Sequence, residues 1–465
     1  MDIKVNNIKD KKPFSAGKVI KILKAIMYVA VFCILFIGIG KVFRYILIDD
    51  SSSYTRIMMH ELYNQEDNID ILFVGSSHCY RTFVPEITDR IFEKNTFNAG
   101  SSSQPMRVSY ELIREAAKYN DIQHIYLDVY YDISIITPYS TSMYIISDYM
   151  KPSFRKYSFM LGSFSKKNYI NGFFIERRRW DKFFDPDYVM SLIQKKQSPD
   201  YKNYTYTDVT GITYGEGERL ETESYEGKGY VSNNGVIRDN SFFSKDGYAP
   251  INLEKITQDW KNSLNKIIKY CQKEGIELTL ISTPMSNYLL AGVGNYDEYI
   301  SEINELIEGT DVAYYDFNLC REEYFPSDSE NFCNPDHVNC YGAEKFSTLF
   351  SEFCMGRISD DELFYDSYQE KLDNMEPSVL GISYKDIKGE VESENMRDMK
   401  IVSNRLEGFE YRVTMAPNKS EQYCIQDFSD NKSFCIPKSE HGLCTIEMRD
   451  AGSQGNVIDS VVVEY

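Results

Sequence analysis

The sequence predicts an α/β protein in which helices pack on both faces of a parallel sheet, with a small C-terminal β-sandwich and one N-terminal transmembrane helix. Three observations support this fold class. Strand-like apolar runs alternate with amphipathic helical patterns between residues 55 and 365, which is typical of an open parallel sheet. Short alternating runs separated by turn residues fill 376–465, as in a β-sandwich. A long uncharged stretch lies near the N-terminus.

Composition and charge narrow the class of protein. The 465 residues are 42% hydrophobic and 26% charged, which suits a folded chain and excludes general disorder. Acidic residues number 70 against 51 basic ones, a net charge of −19, whereas nucleic-acid binding needs clustered lysine and arginine. No nucleic-acid partner is therefore expected. Ten cysteines at irregular spacing favour free thiols over a disulfide framework.

The first fifty residues predict a membrane anchor. Residues 1–24 hold seven lysines and two aspartates, a net charge of +5. Residues 25–40 have no charge and an apolar continuation, which gives the roughly 20 residues that a bilayer requires. The positive-inside rule then predicts a cytoplasmic leader at 1–24, a transmembrane helix at 25–48 and an extracytoplasmic main body. A cleaved signal peptide, with the small residues Gly38 and Gly40 near its end, is the alternative.

Five apolar runs predict strands, and four amphipathic stretches predict helices. The runs are short and bounded by turn residues, which favours buried parallel strands. The helical stretches repeat apolar residues every three to four positions, and Gly275 is expected to end one of them as its C-cap. The predicted strands are 68–74, 96–100, 124–130, 276–283 and 312–317, and the predicted helices are 106–118, 253–274, 297–308 and 342–353.

The same patterns divide the chain into domains. Residues 55–365 form the predicted α/β domain, with an insertion at 150–250. The first part of the insertion has a helical pattern, whereas 199–250 is rich in tyrosine, glycine and serine and is expected to be a long loop or lid. Residues 376–465 form the predicted C-terminal β domain.

Three segments at predicted strand ends hold the residues that suggest chemistry. The first is Gly75-Ser76-Ser77-His78, the second Asn98-Ala99-Gly100-Ser101, and the third spans 334–339 with His337. The carboxyl edge of an open α/β sheet is where active sites collect. A serine nucleophile needs a base to take its proton and amide groups to hold the oxyanion. The three segments supply one of each.

This constellation resembles the SGNH/GDSL hydrolase superfamily over about residues 68–354. The resemblance implies a flavodoxin-like three-layer sandwich of the SGNH type, with Ser77 as nucleophile and Gly100 as an oxyanion-hole donor. It places Asn334 and His337 at the positions of the acid and the base. The motifs and the N-terminal helix are most similar to bacterial cell-surface members, among them the teichoic-acid D-alanylation protein DltD and polysaccharide O-acetyltransferases. The chain departs from the family in lacking the G-x-N-D block and in having asparagine at the acid position.

The resemblance implies a membrane-anchored, extracytoplasmic serine esterase or O-acyltransferase. Its substrate would be an acylated cell-envelope or exopolysaccharide glycan. The expected partners are a polysaccharide or teichoic-acid-like polymer and, for acyl transfer, a membrane acyltransferase. No cofactor and no metal are expected, because the histidines outside the motifs lack metal-ligand spacing and no phosphate-binding glycine loop is present. The two departures from the family favour an alternative, a non-catalytic accessory or glycan-binding protein with the same fold.

The residue that orients His337 is the least determined part of the predicted site. Asn334 can accept the imidazole Nδ1–H but carries no charge. Asp336 adjoins His337, yet adjacent side chains of an extended segment point to opposite sides. We therefore expect a serine–histidine dyad steadied by Asn334 or by a backbone carbonyl. His78, beside the nucleophile, is interpreted as a supporting residue. The alternative is that His78 itself acts as the base.

Overall fold

The computed structural model describes residues 16–465 except 137, 139, 215–216, 238–241, 246–251, 387–395, 406, 419 and 454. The chain forms two units. The smaller contains Met1–Ser52 and Lys166–Lys202, and the larger contains Ser53–Ser165 and Asn203–Tyr465. Most of the predicted leader, residues 1–15, lies outside the described residues. The predicted insertion is divided between the two units.

The described residues form the following helices and strands in chain order. The α-helices are α1 (Ala16–Leu47), α2 (Tyr54–Asn64), α3 (Ser77–Thr82), α4 (Pro85–Phe92), α5 (Met106–Ala116), α6 (Tyr131–Ile135), α7 (Ser140–Ser147), α8 (Phe154–Ser163), α9 (Tyr169–Phe173), α10 (Pro186–Gln197), α11 (Pro199–Asn203), α12 (Gln258–Glu274), α13 (Asn287–Ala291), α14 (Tyr296–Ile307), α15 (Cys340–Cys354), α16 (Asp360–Leu363) and α17 (Tyr368–Asn374). The strands are β1 (Ile71–Val74), β2 (Thr96–Asn98), β3 (His124–Asp128), β4 (Thr207–Tyr214), β5 (Gly217–Gly227), β6 (Tyr230–Asn233), β7 (Phe242–Lys245), β8 (Glu277–Ser282), β9 (Ala313–Asp316), β10 (Phe332–Asn334), β11 (His337–Val338), β12 (Val379–Asp386), β13 (Met396–Ser403), β14 (Phe409–Pro417), β15 (Tyr423–Ser429), β16 (Ser433–Pro437), β17 (Gly442–Asp450) and β18 (Asp459–Glu464). Short 3₁₀ helices lie at Lys166–Asn168, Ile175–Lys182, Phe317–Leu319 and Ser329–Asn331.

A five-stranded parallel sheet forms the centre of the larger unit, in the order β2-β1-β3-β8-β9. The predicted α/β class with a parallel sheet is therefore confirmed. The chain passes from β1 to β2 on one side and then to β3 on the other. Doubly wound folds bind ligands at such a switch point, beyond the carboxyl ends of the strands. Here β1 ends at Val74 and β3 ends at Asp128.

Helices cover both faces of this sheet. All four residues of β1 are buried, and because side chains alternate along a strand, both of its faces must be covered. Phe73 lies in a core cluster with Phe346 and Phe350 of α15, and its ring stacks on Phe83 at a centroid distance of 4.2 Å. Its neighbour Leu72, which points to the opposite face, is also fully buried. The apolar run of β1 thus fixes the strand that leads into the predicted nucleophile.

The insertion contains strands that the sequence interpretation did not expect. In place of the predicted loop or lid over 199–250, β4, β5 and β6 form an antiparallel sheet. These strands have few aliphatic residues, so they lack the apolar signal on which strand prediction depends. The turn between β5 and β6 packs against β2, where the Lys228 carbonyl accepts a hydrogen bond from the Asn98 amide at 2.8 Å.

Two four-stranded sheets lie in the C-terminal part of the chain, in the orders β16-β13-β12-β7 and β15-β14-β17-β18, and the division into a separate C-terminal domain stays a prediction. They share one core, which includes Ile382 and Met399 from the first sheet and Val413 and Ile446 from the second. The antiparallel β structure predicted over 376–465 is confirmed, with the addition of β7, which comes from the insertion and pairs in parallel with β12. None of the ten cysteines, all of them among the described residues, forms a disulfide.

The smaller unit is built on α1. Its stretch Ile20–Leu47 is long and apolar enough to cross a membrane, a test that a signal sequence also meets. The helix begins at Ala16, so helical structure starts within the predicted leader. Residues Lys166–Lys202 of the insertion, with α9, α10 and the 3₁₀ helix Ile175–Lys182, belong to this unit.

We predict that Gly229 is essential to the packing of the β5–β6 turn. Its φ is +82°, and a Cβ there would lie 1.6 Å from the Asn98 carbonyl oxygen. Gly229→Ala should therefore lower the free energy of unfolding by more than the roughly 1–2 kcal/mol of left-handed backbone strain alone, and lower the melting temperature accordingly. Gly227→Ala is the control, because Gly227 also has a positive φ, of +103°, but its nearest neighbour atom is 4.0 Å away. Equal effects of the two substitutions in thermal unfolding would contradict the steric account.

Candidate active site

The turn after β1 places Ser77 at the start of α3. Ser76 is the N-cap of this helix, with an extended backbone, and its Oγ accepts a hydrogen bond from the His78 amide at 3.3 Å. Such a cap satisfies one of the amides that a helix leaves unpaired at its first turn. Ser77 is therefore the first helical residue, partly buried at the carboxyl edge of the sheet.

Two glycines provide the space that this turn needs. A Cβ on Gly75 would lie 2.6 Å from the Cβ of Asp128, and a Cβ on Gly100 would lie 2.9 Å from the Ser76 carbonyl oxygen. Both separations are well below normal contact, so neither position has room for a side chain. The turn before Ser77 is thus confined between the end of β3 and the loop that follows β2.

A hairpin 260 residues further along the chain brings His337 to this turn. Strands β10 and β11 pair antiparallel, with a register irregularity between Phe332 and Asn334. The His337 Nε2 atom lies 2.8 Å from Ser77 Oγ, within the range for a nucleophile and its base. The structure therefore brings together the two residues that the sequence interpretation paired.

Helix α15 holds this hairpin in position. Asn339 is its N-cap and accepts a hydrogen bond from the Gly342 amide at 2.9 Å. A Cβ on Gly342 would lie 2.3 Å from the Asn331 carbonyl oxygen, so the first turn of α15 packs directly on the segment before β10. Ala343 and Phe346 of the same helix belong to the core of the sheet, which links the hairpin to the folded body.

Two side-chain oxygens face His337 Nδ1: that of Asn334, as expected from the sequence, and that of Asp336, which was expected to point away. Asp336 Oδ1 lies 2.9 Å from His337 Nδ1, and Asn334 Oδ1 lies 3.0 Å from the same atom. The expectation assumed an extended segment, in which neighbouring side chains diverge. Pro335 and Asp336 instead form a turn between β10 and β11, which allows the carboxylate to reach the ring of the next residue.

Asn334 organises this turn. Its Oδ1 accepts hydrogen bonds from the amides of Asp336 at 3.2 Å and His337 at 2.9 Å, an arrangement that asparagine favours in turns. Asn334 therefore contacts both the backbone of the turn and the ring of His337. Asp336 adds a negative charge beside the imidazole.

Electrostatics keep Asp336 ionised. Its side chain is largely buried, which alone would raise the pKa of the carboxyl group, but the hydrogen bond and charge of His337 outweigh burial and lower the pKa to about 2. A carboxylate that stays charged at neutral pH can stabilise the imidazolium formed when histidine accepts a proton. Ser77, His337 and Asp336 thus form a continuous hydrogen-bonded chain.

Gly100 lies next to the turn, and its amide already has a hydrogen-bond acceptor. The Gly100 amide donates a hydrogen bond to Asn98 Oδ1 at 3.1 Å. In this conformation Gly100 provides steric room for Ser76, and its role as an oxyanion donor stays a prediction. The Ser77 amide, at the first position of α3, is a further candidate donor.

His78 is part of the same cluster. It is 2% exposed, and its ring stacks on Tyr130 at a centroid distance of 3.7 Å and lies 4.8 Å from the ring of His337. Burial, reinforced by the nearby His337, lowers the pKa of His78 to about 3. Among the described residues its Nε2 has no hydrogen-bond partner. His78 is therefore a neutral ring at physiological pH and forms one wall of the site.

One group of potential metal ligands occurs among the described residues, and it coincides with this cluster. Ligand atoms of His78, Asp336 and His337 lie within 4.8 Å of one another. The Nδ1 of His337 and the carboxylate of Asp336 already bond to each other, so a cation here would replace the proton that joins them. The expectation that the protein uses no metal stays a prediction.

Two further residues support the site: Asp128, which was not singled out from the sequence, and Asn98, which begins the second predicted segment but was given no role of its own. Asp128, at the end of β3, accepts hydrogen bonds from Ser76 at 3.3 Å and Thr283 at 3.2 Å. Burial raises its pKa to about 7, although these hydrogen bonds oppose the shift. Asn98, at the end of β2, donates from Nδ2 to the carbonyl oxygens of Cys79 at 2.8 Å and Phe83 at 3.1 Å. A polar residue closing an apolar strand at the switch point is the signal that could have identified both.

The insertion contributes to the surroundings of the site. Arg81 of α3 forms an ion pair with Glu223 of β5, and Asn233 of β6 also donates to that carboxylate, at 3.4 Å. Burial raises the pKa of Glu223, while the charge of His337 opposes the shift. The sheet of β4, β5 and β6 is thus held on α3 by a partly buried ion pair.

Comparisons with known proteins add little to this geometry. No family model matches the chain, and no curated protein matches it. One solved structure that resembles it is described as a "platelet activating factor" from Streptococcus pneumonia. The two share 11% identity at a TM-score of 0.30, with 64% of this chain and 90% of that one covered. At this score the similarity carries no argument about activity.

We predict that Asp336, not Asn334, supplies the charge of the site. If the protein has esterase activity, Asp336→Asn should lower the rate on the order of 10²- to 10⁴-fold, because the imidazolium loses its counter-charge. Asn334→Asp should change the rate only a few-fold, since an acceptor oxygen remains for the turn. Initial rates of p-nitrophenyl acetate hydrolysis measure both. A large increase with Asn334→Asp and no loss with Asp336→Asn would contradict the assignment.

We also predict that His78 makes the fold sensitive to acid. Its folded-state pKa of about 3 lies below the 6.5 of a free histidine, so between these values the unfolded state binds more protons and stability falls as pH is lowered. His78→Phe removes this group and should flatten the decline in melting temperature between pH 6.5 and 4. His441→Phe is the control, because His441 is exposed. Parallel stability curves for wild type and His78→Phe would disprove the prediction.

Proposed function

We propose that the protein is a serine esterase or O-acyltransferase that uses Ser77 as nucleophile. One observation carries the proposal: His337 Nε2 lies 2.8 Å from Ser77 Oγ, and Nδ1 of the same ring lies 2.9 Å from the carboxylate of Asp336 and 3.0 Å from Asn334 Oδ1. A hydroxyl paired with an imidazole whose other nitrogen meets a carboxylate is the arrangement that activates serine for acyl transfer.

The first half of the proposed reaction acylates the serine. Ser77 Oγ attacks the acyl carbonyl carbon while His337 Nε2 takes the hydroxyl proton, and Asp336 stabilises the resulting imidazolium. The tetrahedral intermediate then collapses, its bond to the alcohol oxygen breaks, and the leaving alcohol takes the proton from His337. The products are the free alcohol and an acyl-serine.

The second half transfers the acyl group to an acceptor. His337 removes a proton from water or from a sugar hydroxyl as the acceptor oxygen attacks the acyl carbon. The tetrahedral intermediate then collapses, the bond between the acyl carbon and Ser77 Oγ breaks, and Oγ takes the proton from His337. Water gives hydrolysis, and a sugar hydroxyl gives O-acyl transfer. The oxyanion of each tetrahedral state would accept from the Ser77 amide. A contribution from Gly100 requires its amide to leave Asn98.

The proposed substrate is an acylated polysaccharide or teichoic-acid-like polymer of the cell envelope. A membrane-anchored enzyme reaches a polymer at the membrane more readily than a diffusible substrate, and α1 is long and apolar enough to serve as the anchor. The basic residues of the N-terminal segment support a cytoplasmic N-terminus and an extracytoplasmic body. A polytopic acyltransferase that supplies the acyl group is a partner consistent with the transferase form of the proposal.

One observation favours the alternative, a non-catalytic glycan-binding or accessory protein. The Gly100 amide is bound to Asn98, so among the described contacts a second oxyanion donor is not yet in place. The loss of one such donor typically costs 10²- to 10³-fold in rate. Covalent labelling of the serine distinguishes an active nucleophile from a vestigial one.

We predict that a fluorophosphonate probe labels the full-length protein at Ser77. The probe reacts with serines that an adjacent base activates, so labelling should disappear in Ser77→Ala and fall strongly in His337→Ala. Ser102→Ala is the matched control, because Ser102 is an exposed serine of the neighbouring loop and should label like wild type. Gel fluorescence and peptide mass spectrometry report the site. Unchanged labelling in Ser77→Ala, or a wild type that folds but does not label, favours the accessory protein.

A further inference from the structure

Two aromatic contacts join the insertion to the side of α1. The Phe174 ring meets Phe36 edge-on with centroids 6.0 Å apart, and the Trp180 ring meets Phe43 in the same way at 5.5 Å. All four residues belong to the smaller unit. These contacts tie the insertion to two defined heights along α1.

The rise of the α-helix gives the depth at which Phe36, and so its contact with Phe174, would lie in a membrane. An α-helix rises 1.5 Å per residue, and the uncharged stretch of α1 ends at Gly40. If the bilayer core ends there, Phe36 lies about 6 Å inside it. If the core extends to Arg44, the side chain of Lys41 extends along the helix to the membrane surface, and Phe36 lies about 12 Å inside the core. In both placements the partner ring of Phe174 is below the membrane surface.

The second contact lies at the membrane boundary. Phe43 is within about 5 Å of the edge of the core in either placement, and its partner Trp180 is of the residue type enriched at that depth. Residues 166–184 hold six basic and two acidic residues, a net charge of +4 in a chain of −19. Basic residues next to aromatic ones are typical of segments that lie among lipid headgroups.

Large apolar side chains of this part of the insertion are exposed in the protein. A soluble surface rarely presents many such residues together. The exposed ones, with their exposed fractions, are Ile170 (51%), Phe173 (37%), Phe174 (40%), Trp180 (47%) and Phe184 (83%). An apolar groove of about 360 Å³ also lies between α1 and the insertion, with Phe36, Ile39, Phe43, Phe174 and Trp180 in its lining. Lipid acyl chains match both features.

Polar contacts beyond the end of α1 fix the insertion in this position. The Lys196 side chain is 1% exposed and forms an ion pair with Asp50 at 2.9 Å, and its Nζ donates to the Ile48 carbonyl at 2.6 Å. Tyr188 donates to the Leu47 carbonyl at 2.9 Å. Breaking a buried ion pair leaves an uncompensated charge. The insertion is therefore held at one height along α1.

We propose that residues 169–184 lie in the membrane leaflet at the C-terminal end of α1, as a second membrane element that does not span the bilayer. Phe174 and its exposed apolar neighbours contact acyl chains, Trp180 lies at the boundary, and the adjacent arginines and lysines contact lipid phosphates. The occupant of this surface is the bilayer itself, because the surface is continuous with the apolar side of α1. The proposal requires α1 to be in the bilayer and is independent of the proposed enzymatic activity.

Tryptophan quenching by lipids tests this proposal directly. Trp180 and Trp260 are the two tryptophans of the chain, and Trp260 is 3% exposed in α12. The full-length Trp260→Phe variant, reconstituted in phosphatidylcholine–phosphatidylglycerol vesicles, reports on Trp180 alone. Lipids brominated near the headgroup end of the acyl chain should reduce its emission at least two-fold, while iodide in the aqueous phase should have little effect. The Trp180→Phe variant, which reports on Trp260, should not respond to the brominated lipids.

A third reporter verifies the position of α1. Phe32→Trp in the Trp180→Phe/Trp260→Phe background places a tryptophan in the middle of the apolar stretch. Quenching of this reporter and of Trp180 by brominated lipid supports the proposal. Quenching at position 32 with Trp180 open to iodide overturns it and indicates that the surface faces water or a soluble partner. Absence of quenching at both positions also overturns it, because α1 is then outside the bilayer.

Discussion

The hydrogen bond between His337 and Ser77 joins segments that lie 260 residues apart, and the candidate site exists only while both segments are held in place. On one side, the turn before α3 depends on two positions without side chains, Gly75 and Gly100. On the other side, the hairpin depends on the first turn of α15, whose Gly342 lies against Asn331. The site is thus a consequence of close backbone packing at three places, none of which belongs to the reacting groups.

The polar groups around the site are costly to the fold. His78 is buried, with a ring nitrogen that has no hydrogen-bond partner in the part of the chain that the structure describes, and Asp128 is a buried carboxyl group whose pKa burial raises to about 7. An apolar residue at either position would avoid the desolvation penalty. Their presence at the switch point between β1 and β3 fits a region organised for binding or chemistry at the expense of stability.

The parts of the fold that follow from apolar periodicity could be predicted from the sequence. All five strands of the parallel sheet lie within the predicted runs, and Gly275 ends α12 with a φ of +72°. The pairing of Ser77 with His337 could be predicted because each residue follows a recognisable strand or turn signal. The sheet of β4, β5 and β6 could not, since its strands are polar and its packing depends on contacts with distant residues. The attachment of the insertion to α1 could not be predicted either, because it depends on long-range aromatic contacts.

The position of Asp336 beside the ring of His337 shows how a local irregularity overrides a pattern. In a regular strand, the residue before His337 would point away from the ring, and the residue three positions earlier would be the natural acid. The turn at Pro335 and Asp336 reverses this, and Asn334 stabilises the turn by accepting two backbone amides. A carboxylate at position 334 would bring a second negative charge close to Asp336, which would disfavour the ionised pair. Asparagine at that position is therefore compatible with a functional site, and it no longer argues for the non-catalytic alternative. That alternative now depends on the oxyanion donors alone.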